Sequence, residues 1–218
     1  GDLLNIYPVV DGSVWEFEQG RLVCGSNLNF ANQEEIPQVD CVFTDPPWNQ
    51  GNMKMFYKFA RKESAALPFS EFILGIFDLL KRKTKGISTI YFDAGVKEIS
   101  FLLDAIKDKG FKQQAVFTTS YGKPVRPCMT AVGSFYFNNC RPTNLNGLHG
   151  VAVIKQVISD LVIECPTMFD PCCGKLDFLV EGLAQGMTEV YGIELIPEKL
   201  ALGLQRLEKL GYHVKRVK

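Results

Sequence analysis

Apolar residues fall along this chain in two alternating kinds of run. Short unbroken runs rich in β-branched and aromatic residues read as strands buried on both faces. Longer runs with apolar positions three and four apart read as helices that cover them. The strands are "RLVCGS" (21–26), "DCVFTD" (40–45), "STIYFDAG" (88–95), "QAVFTTSYG" (114–122), "TMFD" (167–170) and "EVYGIEL" (189–195). The helices are "EFILGIFDLLKRKTKG" (71–86), with a basic tail before a stop at Gly86, "VKEISFLLDAIKDKG" (96–110), "GVAVIKQVISDLVI" (150–163), "DFLVEGLAQG" (177–186) and "PEKLALGLQRLEKLG" (197–211), the last with Pro197 at its start. "TAVGSFYFNN" (130–139) follows its predecessor too closely for a crossover and is expected to pair antiparallel. "YHVKRVK" (212–218) is expected as an edge strand. Strands alternating with helices predict an α/β fold: a doubly wound, mostly parallel sheet with an antiparallel edge strand, helices on both faces, and a single domain over 1–218.

Composition narrows the function classes. Of 218 residues, 46% are apolar and 22% charged, enough for one well-buried core. Lys plus Arg and Asp plus Glu both number 24, so any polyanion would have to meet a local patch or a basic partner. The seven cysteines, Cys24, Cys41, Cys128, Cys140, Cys165, Cys172 and Cys173, lie mostly within apolar runs and read as reduced thiols. No C-x-x-C pair occurs and His149 and His213 are the only imidazoles, so no metal is expected. Without an apolar run long enough to span a bilayer, the expectation is an intracellular protein, cytoplasmic or nucleoid-associated, with no membrane partner.

Two segments carry chemistry. In "TDPPWNQG" (44–51) a buried-looking strand runs into an acid, two prolines and a tryptophan. Neither proline donates to a ladder and each holds its predecessor extended, so the strand stops with a carboxylate, a rigid carbonyl pair and a flat aromatic at its carboxyl end. Ligands bind at that end of open α/β sheets. In "MFDPCCGK" (168–175) another strand enters a tight turn and a helix, and one βα unit later "YGIEL" ends on Glu194. A turn that lets backbone approach a ligand, followed by an acid for two ribose hydroxyls, is the layout of a nucleoside-cofactor pocket; a helix-capping or surface carboxylate is the plainer alternative for Glu194.

"TDPPW", "FDPCCG" and "GIEL", in that order, resemble the S-adenosylmethionine-dependent amino-methyltransferases of the permuted β-class, from "RLVCGS" to "LEKLG". The resemblance implies a permuted class I methyltransferase fold, Rossmann-like, that transfers methyl to the N6 amino group of adenine in DNA. It implies catalytic Asp45, Pro46, Pro47 and Trp48, cofactor contacts from Asp45, Asp170, Pro171, Cys172, Gly174, Lys175, Glu194 and Leu195, and substrate contacts from Trp48, Asn49 and Arg126. The aspartate favours adenine over cytosine N4, whose enzymes more often carry serine there. In that chemistry Asp45 and the Pro46 carbonyl accept hydrogen bonds from the amine, Pro47 keeps the turn stiff and Trp48 stacks on the base.

Two departures matter. Leu176 stands where the family usually has a second glycine, and is expected to crowd the cofactor's methionine end or to force another loop path. Only 123–150 is available as a short hairpin and loop in place of a recognition domain. Lys123, Arg126, Arg141 and Asn144 there are either phosphate contacts or ordinary solvated residues, and His149 either approaches the cofactor carboxylate or merely starts a helix. The stretch 49–70 reads either as a lid loop, offering Lys54, Lys58, Arg61 and Lys62 to phosphate, or as a disordered surface loop. The alternative to an active DNA enzyme is a catalytically weak methyltransferase-fold subunit that binds nucleic acid or completes a heteromer; RNA as substrate and a homodimer stay open.

Overall fold

The computed structural model describes residues 2–95, 99–122, 126–134 and 143–218, with backbone alone for 86–95, 99, 105–106, 112–114 and 126–134. The apolar runs become strands β1 (Val14–Phe17), β2 (Gly20–Cys24), β3 (Val39–Thr44), β4 (Thr84–Gly95), β5 (Lys112–Tyr121), β6 (Arg126–Ser134), β7 (Thr167–Asp170), β8 (Glu189–Glu194) and β9 (Lys215–Arg216). They form one sheet in the order β5-β6-β4-β3-β7-β8-β2-β1-β9. The five central strands, β4, β3, β7, β8 and β2, are parallel. Antiparallel strands flank them on both sides, β6 and β5 beyond β4, β1 and β9 beyond β2. The strand anticipated at 130–139 is therefore interior, inserted between β4 and β5, and its residues past Ser134 lie outside the described ones.

Strand alternation sends successive side chains to opposite faces, and both faces are covered. Cys41 and Phe43 of β3 pack with Met168, Val190 and Leu22 beneath α6 (Val151–Val162), α7 (Asp177–Ala184) and α8 (Pro197–Lys209). Val42, Phe169, Ile193 and Val23 face the opposite layer, built from α3 (Gln50–Phe59), α4 (Phe69–Lys83) and α5 (Ile99–Asp108). Short helices α1 (Asp2–Ile6) and α2 (Phe30–Glu34) complete the described elements. Among the described residues no helix is long and apolar enough to cross a membrane.

Two expectations are corrected. Helix α4 does not run to Gly86. It ends at Lys83, where the Thr84 hydroxyl donates to the Leu80 carbonyl at 2.8 Å and the extended Thr84 backbone opens β4 directly. The stretch 49–70 is not a loop, because α3 and a 3-10 turn over Glu63–Ala65 occupy most of it. Met53 and Tyr57, four apart, bury one side of α3 in the core.

The tips of β3, β7 and β8 lie side by side. The Thr44 hydroxyl donates to Asp170 Oδ1 at 2.7 Å across the β3 and β7 tips. At the other end of the same pair the Thr167 hydroxyl donates to Asp40 Oδ2, also at 2.7 Å. Beneath the tip, Phe43 is fully buried and stacks on Phe178 of α7, ring centroids 3.8 Å apart and planes 2° from parallel. Phe43→Ala should therefore cost about 3–5 kcal/mol of stability, read as a lowered midpoint in equilibrium urea unfolding.

Candidate active site

After Thr44 the chain leaves the sheet extended through Asp45, Pro46 and Pro47, and α3 begins at once. Asn49 caps it, its side-chain oxygen accepting the Asn52 N–H at 2.8 Å, while Asn52 accepts the Trp48 N–H at 3.3 Å. The turn is thus clamped between a strand end and a helix cap. Trp48 swings back so that its indole N–H donates to Asp45 Oδ1 at 2.7 Å. Tyr121, at the end of β5, meets the Trp48 ring edge-on, with centroids 5.4 Å apart. One carboxylate oxygen of Asp45 is held by tryptophan, and the other is left for a ligand. Asp45 is closely surrounded by protein yet open to solvent along the cavity. Crowding pushes its pKa up to about 6, against the pull of the Trp48 N–H and the Lys199 ammonium. Because water reaches the group, its ionised form prevails at neutral pH.

Four strands on in the chain but adjacent in the sheet, β7 ends on Asp170. It is buried, and its Oδ1 accepts both the Thr44 hydroxyl and, at 2.9 Å, the Cys172 N–H. Burial pushes its pKa up to about 7, and the charges of Asp45 and Glu194 act in the same direction. The loop that follows is fastened residue by residue. The Asn27 side chain donates to the Pro171 carbonyl at 2.8 Å, and the Cys173 N–H donates to the Ile193 carbonyl at 3.0 Å. Cys173 itself packs over Gly192 of β8, where an added Cβ would lie 2.7 Å from its sulfur. Glu194 takes the Gly174 N–H on Oε1 and the Ile196 N–H on Oε2, both at 2.8 Å. Burial raises its pKa, and these amide donors oppose the rise.

Leu176 takes a left-handed backbone conformation, φ 74° and ψ 29°, as the cap of α7. For a residue with a Cβ this costs about 1–2 kcal/mol. Its side chain does not line the cavity, so of the two alternatives the sequence left open, crowding and another loop path, crowding is not seen. The side chain turns into the core, 1% exposed, and lies against Gly203 of α8.

These elements enclose a cavity of about 400 Å³, within the roughly 300–1,000 Å³ usual for small-molecule sites. Asp45, Pro47, Asp170, Pro171, Cys172, Gly174, Lys175, Glu194 and Leu195 line it, so the two motifs meet in one space. Pro46 is buried behind the turn, and Trp48 and Asn49 stand outside the lining. Sequence reasoning missed several wall residues. Ser26 and Asn27 follow the tip of β2, next to β8, and Phe56 and Tyr57 come from α3. Lys199 and Leu202 come from α8, and the Lys199 ammonium sits 4.6 Å from the centre of the Phe56 ring. The Tyr57 phenol, its pKa raised by burial, bonds to Ser26. Signals for these existed: a strand beside β8 must bring its own tip residues, and the Met53 to Tyr57 spacing is helical.

Other candidates fall elsewhere. His149 does not line the cavity; its Nδ1 lies 2.9 Å from the Ser120 hydroxyl. Asn144 accepts the Asn146 N–H within its own turn. Arg126 pairs through its backbone with Tyr121, and its side chain, like all of Lys123 and Arg141, lies outside the described residues. Lys62 pairs with Asp11 and Arg61 with Glu198, leaving Lys54 and Lys58 as the exposed lysines of α3. Among the described residues no group of three or more His, Cys, Asp or Glu could hold a metal ion, and Cys24, Cys41, Cys165, Cys172 and Cys173 are free thiols.

No protein-family model and no curated protein matches this chain. Solved structures do. M1.HpyAVI superposes with a TM-score of 0.61 at 15% identity, over 86% of this chain and 98% of its own, and it has also been crystallised with S-adenosylmethionine. TTHA0409 of Thermus thermophilus, proposed to be a DNA modification methylase, gives 0.63 at 13% identity over 86% and 94%. PvuII DNA methyltransferase, specific for cytosine N4, gives 0.60 at 13% identity over 86% of both chains. At such identities the likeness is one of architecture, and the chain has the fold of the DNA methyltransferases.

Proposed function

We propose that this chain transfers the methyl group of S-adenosylmethionine to an exocyclic amino group in nucleic acid, the N6 of adenine in DNA. The observation that carries the reading is the meeting of Asp45 and Glu194 in one cavity, with Trp48 holding one oxygen of Asp45. The residues present fit the cofactor. Beyond the Gly174, Ile196 and Leu195 N–H groups, the Glu194 carboxylate keeps acceptor capacity for a ribose hydroxyl. Leu195 and Phe56 offer apolar surface for a purine, and the Pro171 to Gly174 backbone walls the side where the amino-acid part belongs. Bound there, the cofactor supplies an electrophilic methyl on a sulfonium.

The chain's own residues make an amine receptive to it. An adenine amine is a weak nucleophile because its lone pair is delocalised into the ring. Accepting its N–H bonds on the free Asp45 oxygen and the Pro46 carbonyl turns the lone pair out of conjugation and places negative potential where positive charge grows. Trp48 fixes the carboxylate so that no reorganisation is needed at the moment of transfer. With a pKa about 6, Asp45 can then accept the proton that the methylated nitrogen must lose and pass it to water. The edge-to-face pair of Trp48 and Tyr121 offers the base an aromatic surface once it is out of its helix. The likeness to PvuII methyltransferase favours a second reading, cytosine N4, which shares every step. The reading as a catalytically weak subunit loses one of its motives, because Leu176 faces the core. Radiolabelled methyl transfer to adenine-only and cytosine-only oligomers, in DNA and RNA, separates these.

Asp45→Ala should abolish methyl transfer and leave the melting temperature unchanged, since the side chain faces the cavity. For the wild-type chain, Asp45 must be ionised to accept the amine, so the rate should fall about tenfold per pH unit below its pKa, which is about 6. An acid limb absent from the pH profile would remove Asp45 from this role. Glu194→Ala should weaken S-adenosylmethionine and S-adenosylhomocysteine alike, by roughly 10–100-fold for a charged hydrogen-bond acceptor, with Glu194→Gln milder; calorimetry reads both.

With only 123–150 available in place of a recognition domain, duplex would be gripped by a small basic surface. Lys54 and Lys58, beside exposed Met55 and Phe59, make one stripe along α3. Two phosphate contacts predict a slope of about −2 in log binding constant against log salt, measured on random duplex; a homodimer or a basic partner would steepen it. A salt-insensitive, tight complex with a monomer would contradict this.

A further inference from the structure

The loop that walls the cavity is gripped from outside by α8 over three consecutive residues. Arg206 Nη1 donates to the Lys175 carbonyl at 2.9 Å and to Asp177 Oδ1 at 2.6 Å. Between those two anchors the Leu176 side chain drops into the notch left by Gly203, one turn earlier on α8. An ideal Cβ at Gly203 would lie 2.5 Å from Leu176 Cγ and 2.9 Å from Cδ1, closer than packed carbons approach. A glycine inside a buried helix weakens it, so its presence at 203 calls for a local reason, and the leucyl side chain supplies one. Leu176 in turn holds a left-handed backbone that glycine would adopt without strain. Neither residue is explained alone, and each is explained by the other.

The grip ends where ligand contacts begin. Gly174, one residue before the gripped segment, gives its N–H to Glu194, and Gly174, Lys175 and Asp177 all line the cavity. Helix α8 also brings Lys199 and Leu202 to that cavity, and its first turn is tied to Glu194 through Ile196. A slip of the loop along α8 would therefore move Gly174 off Glu194 and change the wall that faces the ligand. We infer that Leu176 is a positioning residue, whose seat at Gly203 holds Gly174 against Glu194 and so sets the affinity for S-adenosylmethionine. This rests on the function proposed above.

The test is a mutant cycle on the full chain with two readouts: hydrogen exchange of the Gly174 amide without ligand, and calorimetric affinity for S-adenosylmethionine. Gly203→Ala should speed that exchange and weaken binding by roughly tenfold or more, as sub-ångström to ångström displacements in sites do. Leu176→Gly should weaken it by only about threefold, and the double variant should match Leu176→Gly instead of multiplying the two losses, because the methyl added on α8 then meets no leucine. Arg206→Gln sits at a half-exposed edge and does not threaten the fold. It should raise the KM for the cofactor several-fold with kcat at saturation and melting temperature unchanged, a split that general destabilisation would not produce. Wild-type exchange and affinity in folded Gly203→Ala, multiplied losses in the double variant, or an unchanged KM in Arg206→Gln would each overturn the inference. If the wild-type chain bound no S-adenosylmethionine, the proposed function would fall and take the affinity claim with it, while exchange at Gly174 would still judge the grip by itself.

Discussion

Glu194 commits both carboxylate oxygens to backbone N–H groups, one on the loop after β7 and one at the start of α8, and the rest of the site hangs from that bridge. A buried carboxylate is tolerated only when donors surround it, and here the donors belong to two different elements. Each is therefore held in register with the tip of β8, and through it with each other. The acids on the neighbouring tips follow the same rule by different means. Asp170 is satisfied by a threonine hydroxyl and an amide, while Asp45 has an indole on one oxygen and is exposed to solvent. Burial raises the proton affinity of all three carboxylates, the charges of Asp45 and Glu194 add to it at Asp170, and the Lys199 ammonium partly offsets it at Asp45 and Glu194.

Two helices from opposite faces of the sheet close the space above those tips. Helix α3 contributes Phe56 and Tyr57, and α8 contributes Lys199 and Leu202. They meet through the ammonium over the Phe56 ring and through the exposed Arg61 and Glu198 pair at 3.3 Å. An exposed pair of this kind contributes little stability, so the contact orients more than it binds. Because α3 starts directly after the Asp45 to Trp48 turn and its Asn52 accepts the Trp48 N–H, any shift of α3 is felt at Trp48, and from there at Asp45.

Much of this was legible in the sequence, and the reasons are local. A strand that ends in two prolines cannot continue, so the place of Asp45 followed from the residues around it. The same holds for Glu194, which closes an apolar run of strand length. What stayed hidden depended on partners far along the chain. Helix α3 was misread because Met55 and Phe59 face outward beside Met53, Phe56 and Tyr57, which blurs its helical period into an almost continuous apolar run. Strand β1 was missed because four residues between two turns carry little pattern, and its pairing with β2 and β9 is what makes it a strand. Whether Leu176 intrudes or redirects the loop could not be read, because its seat, Gly203, lies on another helix and no spacing rule connects the two.

Strands β3 and β7 are buttoned at both ends, Thr167 to Asp40 at one and Thr44 to Asp170 at the other, across sequence separations of 127 and 126 residues. As the chain emerges during synthesis, β3 has β4 (Thr84–Gly95) beside it first, but its second neighbour, β7, begins only at Thr167. Until then the flank of β3 that will carry the shared cavity is an open edge with unpaired amides and carbonyls, the kind of surface that recruits other chains. Closing a loop of that length is also slow compared with forming its local helices. The arrangement that brings the Asp45 turn and the Asp170 loop together from distant parts of one chain leaves the nascent protein exposed to aggregation until these two strands pair.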